Sequence, residues 1–239
     1  METRGRQFLA AIFDLDGLLI DSEPLWQQAE IECFAEVGVA LTREQAQETL
    51  GLRSDEVVCL RFDEYGWDEE AHPLEVVEER IIQRVVDLIA SEGRAMTGVG
   101  EALDFVTARG LRRAVASSSR VRVIEAALRA LGISDRFELV HSAELELLGK
   151  PHPGVYLTTA RKLDLAPAEC VAFEDSLAGL QSARKAGMAC VAVPDRSVVD
   201  HPEFDLADLV LSSLADVNEE TWAELCHNSA RKQEPGRSA

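Results

Sequence analysis

The feature that most constrains the fold of this chain is a helical pattern that ends at a glycine and is followed by a short apolar run, which occurs three times. The glycines are Gly110, Gly132 and Gly187. Glycine commonly ends a helix because it adopts the left-handed conformation without steric cost. A short, wholly apolar run is typical of a strand buried on both faces. The alternation therefore predicts repeated βα units around a parallel sheet.

The other predicted elements extend this alternation along the chain. The run at 9–13 is wholly apolar and meets a turn at 14–17, so we expect the first buried strand there. Strands are predicted at 9–13, 111–116, 137–140, 170–173, 188–193 and 208–211, with helices between them and a last helix at 218–226. The predicted fold class is α/β, with a doubly wound, Rossmann-like parallel sheet.

A long helical stretch separates the first predicted strand from the second. Apolar residues recur there at helical spacing, most clearly from Val77 to Leu88, and no β-rich run interrupts them. We interpret the acidic run between Asp63 and Glu79 as a solvated face. The predicted domains are an α/β core at 1–20 and 91–228, an inserted helical cap at 21–90 and a polar C-terminal tail at 229–239.

The chain is strongly acidic, with 24 Lys and Arg against 43 Asp and Glu and a net charge of −19. Such a surface repels polyanions, so we expect neither nucleic acid nor an anionic membrane as a partner. A small phosphate ester is still compatible with this charge, because salt screens the field beyond about 8 Å and local cations decide a site. Since no conspicuous apolar helix is left over, we expect a monomer.

The five cysteines are scattered, odd in number and without a CxxC pair, which favours reduced thiols in a cytosolic protein. The apolar run before Asp14 is six residues long, which is too short for an export signal. No run approaches the roughly 18 apolar residues of a membrane span. We therefore expect a soluble, cytoplasmic protein.

Polar side chains follow the predicted strands at the sheet edge where parallel sheets bind ligands. They are Asp14, Asp16, Ser117, Ser118, Lys150, Glu174 and Asp175. Each group has a simpler explanation when it is taken alone: Asp-x-Asp-Gly is a common turn, serines and acidic residues cap helices, and a loop lysine is usually solvated. Their meeting at one edge of one sheet favours an active site instead.

Four motifs carry a family resemblance. They are F-D-L-D-G at 13–17, A-S-S-S at 116–119, G-K-P-H-P at 149–153 and E-D-S at 174–176. With these motifs in this order, and a helical insertion directly after the first, the sequence resembles the haloacid-dehalogenase-like phosphohydrolase superfamily from about residue 8 to 215. The resemblance implies a Rossmann-like core with a helical cap.

Longer stretches resemble one subgroup more closely. They are F-D-L-D-G-L-L-I-D-S-E-P-L-W at 13–26, L-G-L-R at 50–53 and K-P-H-P-G-V-Y-L at 150–157. They look like the bacterial hexitol phosphatases that also act on 2-deoxyglucose 6-phosphate, in the β-phosphoglucomutase-like subgroup. The resemblance implies a Mg²⁺-dependent phosphatase whose partner is a small sugar or polyol phosphate monoester.

The resemblance also implies the roles of the motif residues. Asp14 would attack phosphorus and carry an aspartyl-phosphate intermediate, which hydrolyses more easily than the ester. Asp16 would act as general acid and then general base, and Lys150 would neutralise nucleophile and phosphate. Ser117 would contribute to catalysis. The phosphate-binding residues would be Asp14, Leu15, Asp16, Ser117, Ser118 and Lys150.

The metal site and two cap contacts complete the expected site. The resemblance implies Mg²⁺ on Asp14, the backbone carbonyl of Asp16 and Asp175, supported by Glu174. Arg53 and Trp26 are candidates for contact with the part of the substrate beyond the phosphate. The alternatives are local capping or pairing for Arg53 and plain cap core for Trp26.

Other readings of the same motifs stay open. A sugar phosphomutase of the β-phosphoglucomutase type shares all four motifs, but its histidine five residues after the acid that matches Asp21 is Trp26 here. A non-catalytic phosphate-binding regulator would lack catalytic residues, and none is missing. A dehalogenase needs no metal, whereas Glu174 and Asp175 suit one.

Overall fold

A computed structural model describes residues 8–49, 51–194 and 201–231 of the chain. Its strands are β1 (Ala10–Phe13), β2 (Arg112–Ser117), β3 (Leu139–Ser142), β4 (Cys170–Glu174), β5 (Ala189–Ala192) and β6 (Leu209–Val210). They form one sheet in the order β3-β2-β1-β4-β5-β6, and every neighbouring pair is parallel. The predicted doubly wound α/β fold is confirmed.

Helices connect these strands. They are α1 (Glu23–Glu36), α2 (Arg43–Gln47), α3 (Ser54–Tyr65), α4 (Leu74–Glu92), α5 (Val99–Ala108), α6 (Val121–Ala130), α7 (Gly154–Lys162), α8 (Leu177–Lys185) and α9 (Glu219–Arg231). Short 3₁₀ turns lie at Ser134–Arg136, Ala143–Leu145, Pro167–Glu169, Pro202–Leu206 and Leu214–Asp216. Within the part of the chain that the structure describes, every helix is too short or too polar to cross a bilayer.

The strands are apolar because the sheet is covered on both faces. Alternate residues of β1 enter opposite layers: Ala11 and Phe13 belong to one hydrophobic cluster, and Ala10 and Ile12 to the other. Phe13 stacks on Phe173 of β4 with ring centroids 4.6 Å apart. The strand order reverses between β1 and β4, and this is where doubly wound sheets bind ligands.

The helices of the insertion pack onto the same layer as Phe13. One hydrophobic cluster includes residues of β1, β2 and β4 together with apolar residues of α1, α3 and α4. The acidic residues between Asp63 and Glu79 are exposed, as predicted, with the exception of Glu78, which is buried. Its carboxylate accepts hydrogen bonds from Ser54 Oγ at 2.6 Å and from Arg120 Nε at 3.0 Å, so an ion pair joins α4 to the segment after β2.

Some predicted boundaries differ from the structure. β3 begins at Leu139 rather than 137, because a 3₁₀ turn runs to Arg136 and Phe137 packs edge-on against Phe13 with centroids 6.0 Å apart. β6 is only Leu209–Val210. Helix α9 continues to Arg231, so 229–231 are not part of a polar tail: Ser229 is buried in this helix. Residues 232–239 of the predicted tail lie outside the described residues.

Candidate active site

Lys150 joins two strand ends at the switch point of the sheet. It lies in the loop between β3 and α7 and is buried. Its ammonium donates to Asp14 Oδ1 and to Glu174 Oε1, both at 2.6 Å, and to the carbonyl of Ala116 at 3.2 Å. The predicted residues of β1, β2, β4 and the Lys150 loop therefore meet in space.

Burial and mutual repulsion shift the pKa values of the ionisable groups in this cluster. Burial raises the pKa of Asp14 to about 7 against the opposing charge of Lys150, and Glu174 and Asp16 raise it further. Burial raises the pKa of Asp175 well above its ordinary value, together with the charges of Asp14 and Glu174. Although burial by itself lowers the pKa of Lys150, Asp14 and Glu174 hold it above its ordinary value. Lys150 alone therefore does not offset the negative charge that these carboxylates would carry together when all of them are ionised.

This excess charge fits a divalent cation. Asp14, Glu174 and Asp175 each offer a carboxylate oxygen within 4.8 Å of the others, and oxygen donors of this kind suit Mg²⁺ or Ca²⁺. Gly17 makes room for Asp175: it has a φ of +72°, and a Cβ there would lie 2.1 Å from Asp175 Oδ2. The donor set and the glycine cradle fit a metal site.

Glu174 is held by a residue that the sequence reading did not assign to the site. The Tyr156 hydroxyl donates to Glu174 Oε1, the oxygen that also accepts from Lys150. Both Tyr156 and Glu174 are completely buried. Gly179 leaves room for the carboxylate, since a Cβ there would lie 2.0 Å from Glu174 Cδ. Tyr156 belongs to the K-P-H-P-G-V-Y-L stretch at 150–157, but its partner lies 18 residues away and no local pattern indicates the contact.

Asp16 is held from two directions. Its Oδ1 accepts from Ser22 Oγ at 2.7 Å and from Trp26 Nε1 at 2.9 Å, and its Oδ2 accepts from Ser119 Oγ at 2.7 Å and, more weakly, from Ser117 Oγ at 3.4 Å. Ser22 occupies the N-cap position of α1, but its side chain makes no cap bond within the described residues because its hydroxyl donates to Asp16. Trp26 and Ser22 thus connect α1 to the core.

The serines after β2 face the same space. Ser117 Oγ accepts from the amide of Ser119 at 3.0 Å, so this hydroxyl supports the turn, but Arg120 and not a serine occupies the N-cap position of α6. Ser118 Oγ is buried and has no hydrogen-bond partner among residues 8–49, 51–194 and 201–231. Leu15 is fully buried, so its side chain packs in the core.

A cavity of about 440 Å³ lies between the sheet edge and the insertion. Its core wall includes Asp14, Asp16, Gly17, Ser117, Ser118, Ser119, Lys150, Asp175 and Ser176, and its insertion wall includes Ser22, Glu23, Trp26, Gln27, Glu30, Thr49, Leu52, Ser54 and Val57. Its volume is in the range that holds small-molecule ligands.

Arg53 is not among the residues that line this cavity, and its expected contact with substrate stays a prediction. Its guanidinium pairs with Asp55, and its Nη1 donates to the carbonyls of Glu146 at 3.2 Å and Ala143 at 3.4 Å. These bonds hold the side chain against the core. The ion pair with Asp55 agrees with the alternative explanation, in which Arg53 pairs locally. Trp26 does line the cavity, although its indole N–H is bonded to Asp16.

Comparison with known proteins identifies the family. The sequence profile described as haloacid dehalogenase-like hydrolase matches residues 11–193. The chain belongs to this family. It is also 41% identical over 213 residues to hexitol phosphatase B of Escherichia coli K12, covering 89% of this chain and 95% of that protein. These matches confirm the family and the class of enzyme, a phosphatase, that the motifs predicted.

Solved structures agree with the fold. A variant of CbbY from Rhodobacter sphaeroides in complex with xylulose-(1,5)bisphosphate superposes with a TM-score of 0.81 at 29% identity, covering 89% of this chain and 97% of that one. β-Phosphoglucomutase from Clostridium difficile has a TM-score of 0.81 at 25% identity, covering 94% and 100%. Both solved structures therefore share the overall fold of this chain over most of its length.

Proposed function

We propose that this phosphatase hydrolyses small sugar or polyol phosphate monoesters, such as hexitol phosphates and 2-deoxyglucose 6-phosphate, with Mg²⁺ as cofactor. The observation that carries the proposal is the cavity that joins Asp14 and Lys150 to a mixed polar and apolar wall on the insertion. The similarity to a hexitol phosphatase and to a structure that holds a sugar bisphosphate supports this substrate class.

Asp14 is the proposed nucleophile. One of its carboxylate oxygens forms a bond to phosphorus while the bond from phosphorus to the ester oxygen breaks, which gives an acyl phosphate on Asp14. Water then attacks phosphorus, releases inorganic phosphate and regenerates the carboxylate. Two easier steps replace one difficult displacement. Lys150, 2.6 Å from Asp14 Oδ1, holds the nucleophile and opposes the negative charge that gathers around it.

Asp16 is the proposed general acid and base. In the first step it protonates the leaving oxygen of the sugar or polyol, and in the second it removes a proton from the attacking water. Its hydrogen bonds to Ser22, Trp26 and Ser119 fix its carboxylate beside Asp14. Asp16 would therefore be oriented before the substrate enters.

Backbone and hydroxyl donors are proposed to hold the transferred group. Ser117 Oγ, Ser118 and the backbone at Leu15 would donate to phosphoryl oxygens, with Lys150 as the neighbouring cation. Helix α6 begins at Val121, just after these serines, and the partial positive charge of a helix N-terminus favours an anion there. Ser118 Oγ, which is buried and has no partner in the part of the chain that the structure describes, supports this assignment.

The proposed metal ligands are Asp14, Asp175 and the backbone carbonyl of Asp16, with Glu174 supporting the site through Lys150 and Tyr156. When bound, the cation supplies charge neutralisation between the dianionic ester and the carboxylates. Excess negative charge and the space left by Gly17 support Mg²⁺ at this position.

The helical insertion at 21–90 is proposed as a cap on the α/β core at 1–20 and 91–228. Trp26 and Ser22 belong to the cap and bond to Asp16 of the core, so the cap takes part in forming the site. We also propose that the protein is a cytoplasmic monomer.

A phosphomutase is disfavoured because Trp26 stands where the β-phosphoglucomutase type has a histidine. The indole N–H of Trp26 donates a hydrogen bond, but the indole cannot accept a proton as a histidine does.

The test is phosphate release from a panel of sugar, polyol, nucleotide and glycolate phosphates, with Mg²⁺ or with a chelator. We expect the highest kcat/KM for hexitol and deoxyhexose phosphates. Asp14→Asn should abolish turnover without unfolding, and Asp16→Asn should lower kcat by about 10²–10⁴-fold. Release from no phosphate ester, or formation of glucose 6-phosphate from β-glucose 1-phosphate, would contradict the proposal.

A further inference from the structure

Glu30 is a buried carboxyl in the wall of the active-site cavity that the reaction described above does not use. It lies on α1, is 7% exposed and faces the cavity. Its Oε2 has no hydrogen-bond partner within the described ranges 8–49, 51–194 and 201–231. Buried polar atoms are nearly always paired, so an exception that faces a cavity calls for a ligand.

The neighbouring cation does not satisfy this carboxyl. Arg61 acts on Glu30 through its charge, but its guanidinium is bonded to Glu64 at 2.7 Å and to the carbonyl of Gln45. Burial accordingly raises the pKa of Glu30 to about 7, with Arg61 opposing. A carboxyl in this state either accepts from a ligand donor or, when protonated, donates to a ligand oxygen.

The spacing along α1 places Glu30 at the end of the cavity away from the reacting group. Trp26 and Glu30 are separated by four residues, which puts them on one face of the helix and about 6 Å apart along its axis. Trp26 is bonded to Asp16, so its end of this face lies next to the phosphate-transfer groups. Glu30 therefore lies about one helical turn farther into the insertion.

Gln27, three residues before Glu30 on α1, adds a second polar group to the cavity wall. It is mostly buried, at 9% exposure, and its Nε2 donates to Glu23 Oε1 only at the long distance of 3.4 Å. Leu52 and Val57 provide apolar surface in the same wall. Two hydrogen-bonding groups beside apolar surface are complementary to a ligand whose carbon chain carries both hydroxyls and C–H groups.

We propose that Glu30, with Gln27, binds hydroxyl groups of the substrate chain distal to the phosphate and so selects long polyhydroxylated leaving groups. The inference rests on the proposed function and deepens it. A substrate hydroxyl donates to or accepts from the Glu30 carboxyl, and Gln27 donates and accepts through its amide. Esters that are too short to reach Glu30, or that have no hydroxyl there, leave the carboxyl unpaired and bind less well.

The test compares Glu30→Leu and Glu30→Gln with wild type on three esters: sorbitol 6-phosphate, glycerol 3-phosphate and p-nitrophenyl phosphate. We expect Glu30→Leu to lower kcat/KM for sorbitol 6-phosphate by about 10–100-fold, because one buried hydrogen bond to a carboxyl is lost. Glu30→Gln keeps an acceptor and should lose less. Both variants should stay within about twofold of wild type on the other two esters.

Glu32→Gln is the matched control, because Glu32 is on the same helix but is partly exposed and paired with Arg84 at 2.6 Å. It should not change any of the three rates. Thermal unfolding of each variant separates recognition from folding, and Glu30→Gln keeps the test valid if Glu30→Leu is unstable.

Equal losses on all three esters, or no loss on sorbitol 6-phosphate, would overturn the role of Glu30 while leaving the proposed phosphatase function intact. Absence of phosphate release by the wild type from all three esters would instead overturn the proposed function, and the inference with it.

Discussion

The indole nitrogen of Trp26 lies 2.9 Å from Oδ1 of Asp16, so a residue of the helical insertion directly orients a carboxylate of the core. Asp16 follows β1, whereas Trp26 is in the first turn of α1. The bond forms only when α1 is docked on the sheet edge. Movement of the insertion would therefore change the orientation of Asp16 as well as access to the cavity.

Removing this donor should slow turnover more than it weakens binding. We expect Trp26→Phe to lower kcat by about tenfold, equivalent to ~1.4 kcal/mol, with KM nearly unchanged, because the ring still fills the wall but Asp16 loses a hydrogen bond. Steady-state kinetics on one phosphate ester would check this. Trp67→Phe is a matched control, since the Trp67 indole donates to the carbonyl of His72 in the insertion; similar losses in both variants would argue against the role of Trp26.

The hydroxyl of Tyr156 should stabilise the buried carboxylate of Glu174. We expect Tyr156→Phe to reduce the free energy of unfolding by about 1.5–3 kcal/mol, as is typical for a hydrogen bond to a charged group. The rate should fall too, because Glu174 helps to hold Lys150 against Asp14. Urea unfolding provides the measurement. Tyr65→Phe is the matched control, because the Tyr65 hydroxyl is exposed and bonded to Gln45. A loss of more than about 0.5 kcal/mol of unfolding free energy in this control would argue against a special role for the Tyr156 hydroxyl.

Binding of a divalent cation should stabilise the fold. Asp14, Glu174 and Asp175 repel one another when the site holds no metal, and a bound cation removes this repulsion. We expect Mg²⁺ to raise Tm, with a gain that increases with concentration, and expect Asp175→Asn to remove most of that gain. Differential scanning calorimetry with Mg²⁺ and with a chelator would measure it. An equal gain in wild type and Asp175→Asn would place the cation elsewhere.

Glu30 should make stability fall as the pH rises. Its folded pKa, about 7, is above its ordinary value of 4.5, so the folded state binds more protons than the unfolded state between these values. The contribution of the protonated carboxyl is complete below pH 4.5 and is lost as pH rises through 7. Relative to Glu30→Gln, the wild type should lose about 3 kcal/mol of unfolding free energy between pH 4.5 and 8.

Chemical unfolding of both proteins at several pH values would test this. Glu32→Gln provides the reference, because Arg84 and Gln28 lower the pKa of that carboxyl and it is exposed. Parallel pH profiles for wild type and Glu30→Gln would show that Glu30 titrates normally, and the buried environment assigned to it would then be wrong.

The strands and the polar residues at their ends could be predicted from the sequence because both depend on local patterns. A wholly apolar run such as Ala10–Phe13 has to be covered on both faces, and Asp14 must then follow at the sheet edge. The same holds for Ser117 and Glu174. At β3 the sequence pattern placed the start of the strand at 137, whereas the strand begins at Leu139, because Phe137 packs on Phe13 before the strand starts.

Only the tertiary structure decided which side chains meet across the cavity. Trp26 reaches Asp16, Tyr156 reaches Glu174, and Glu30 is buried beside the cavity because α1 and α7 dock against particular strand ends. Arg53 donates to the carbonyl of Glu146 at 3.2 Å for the same reason, since these residues are far apart in sequence and meet only in the folded chain. Contacts between residues distant in sequence depend on the packing of whole elements, which no short periodicity encodes.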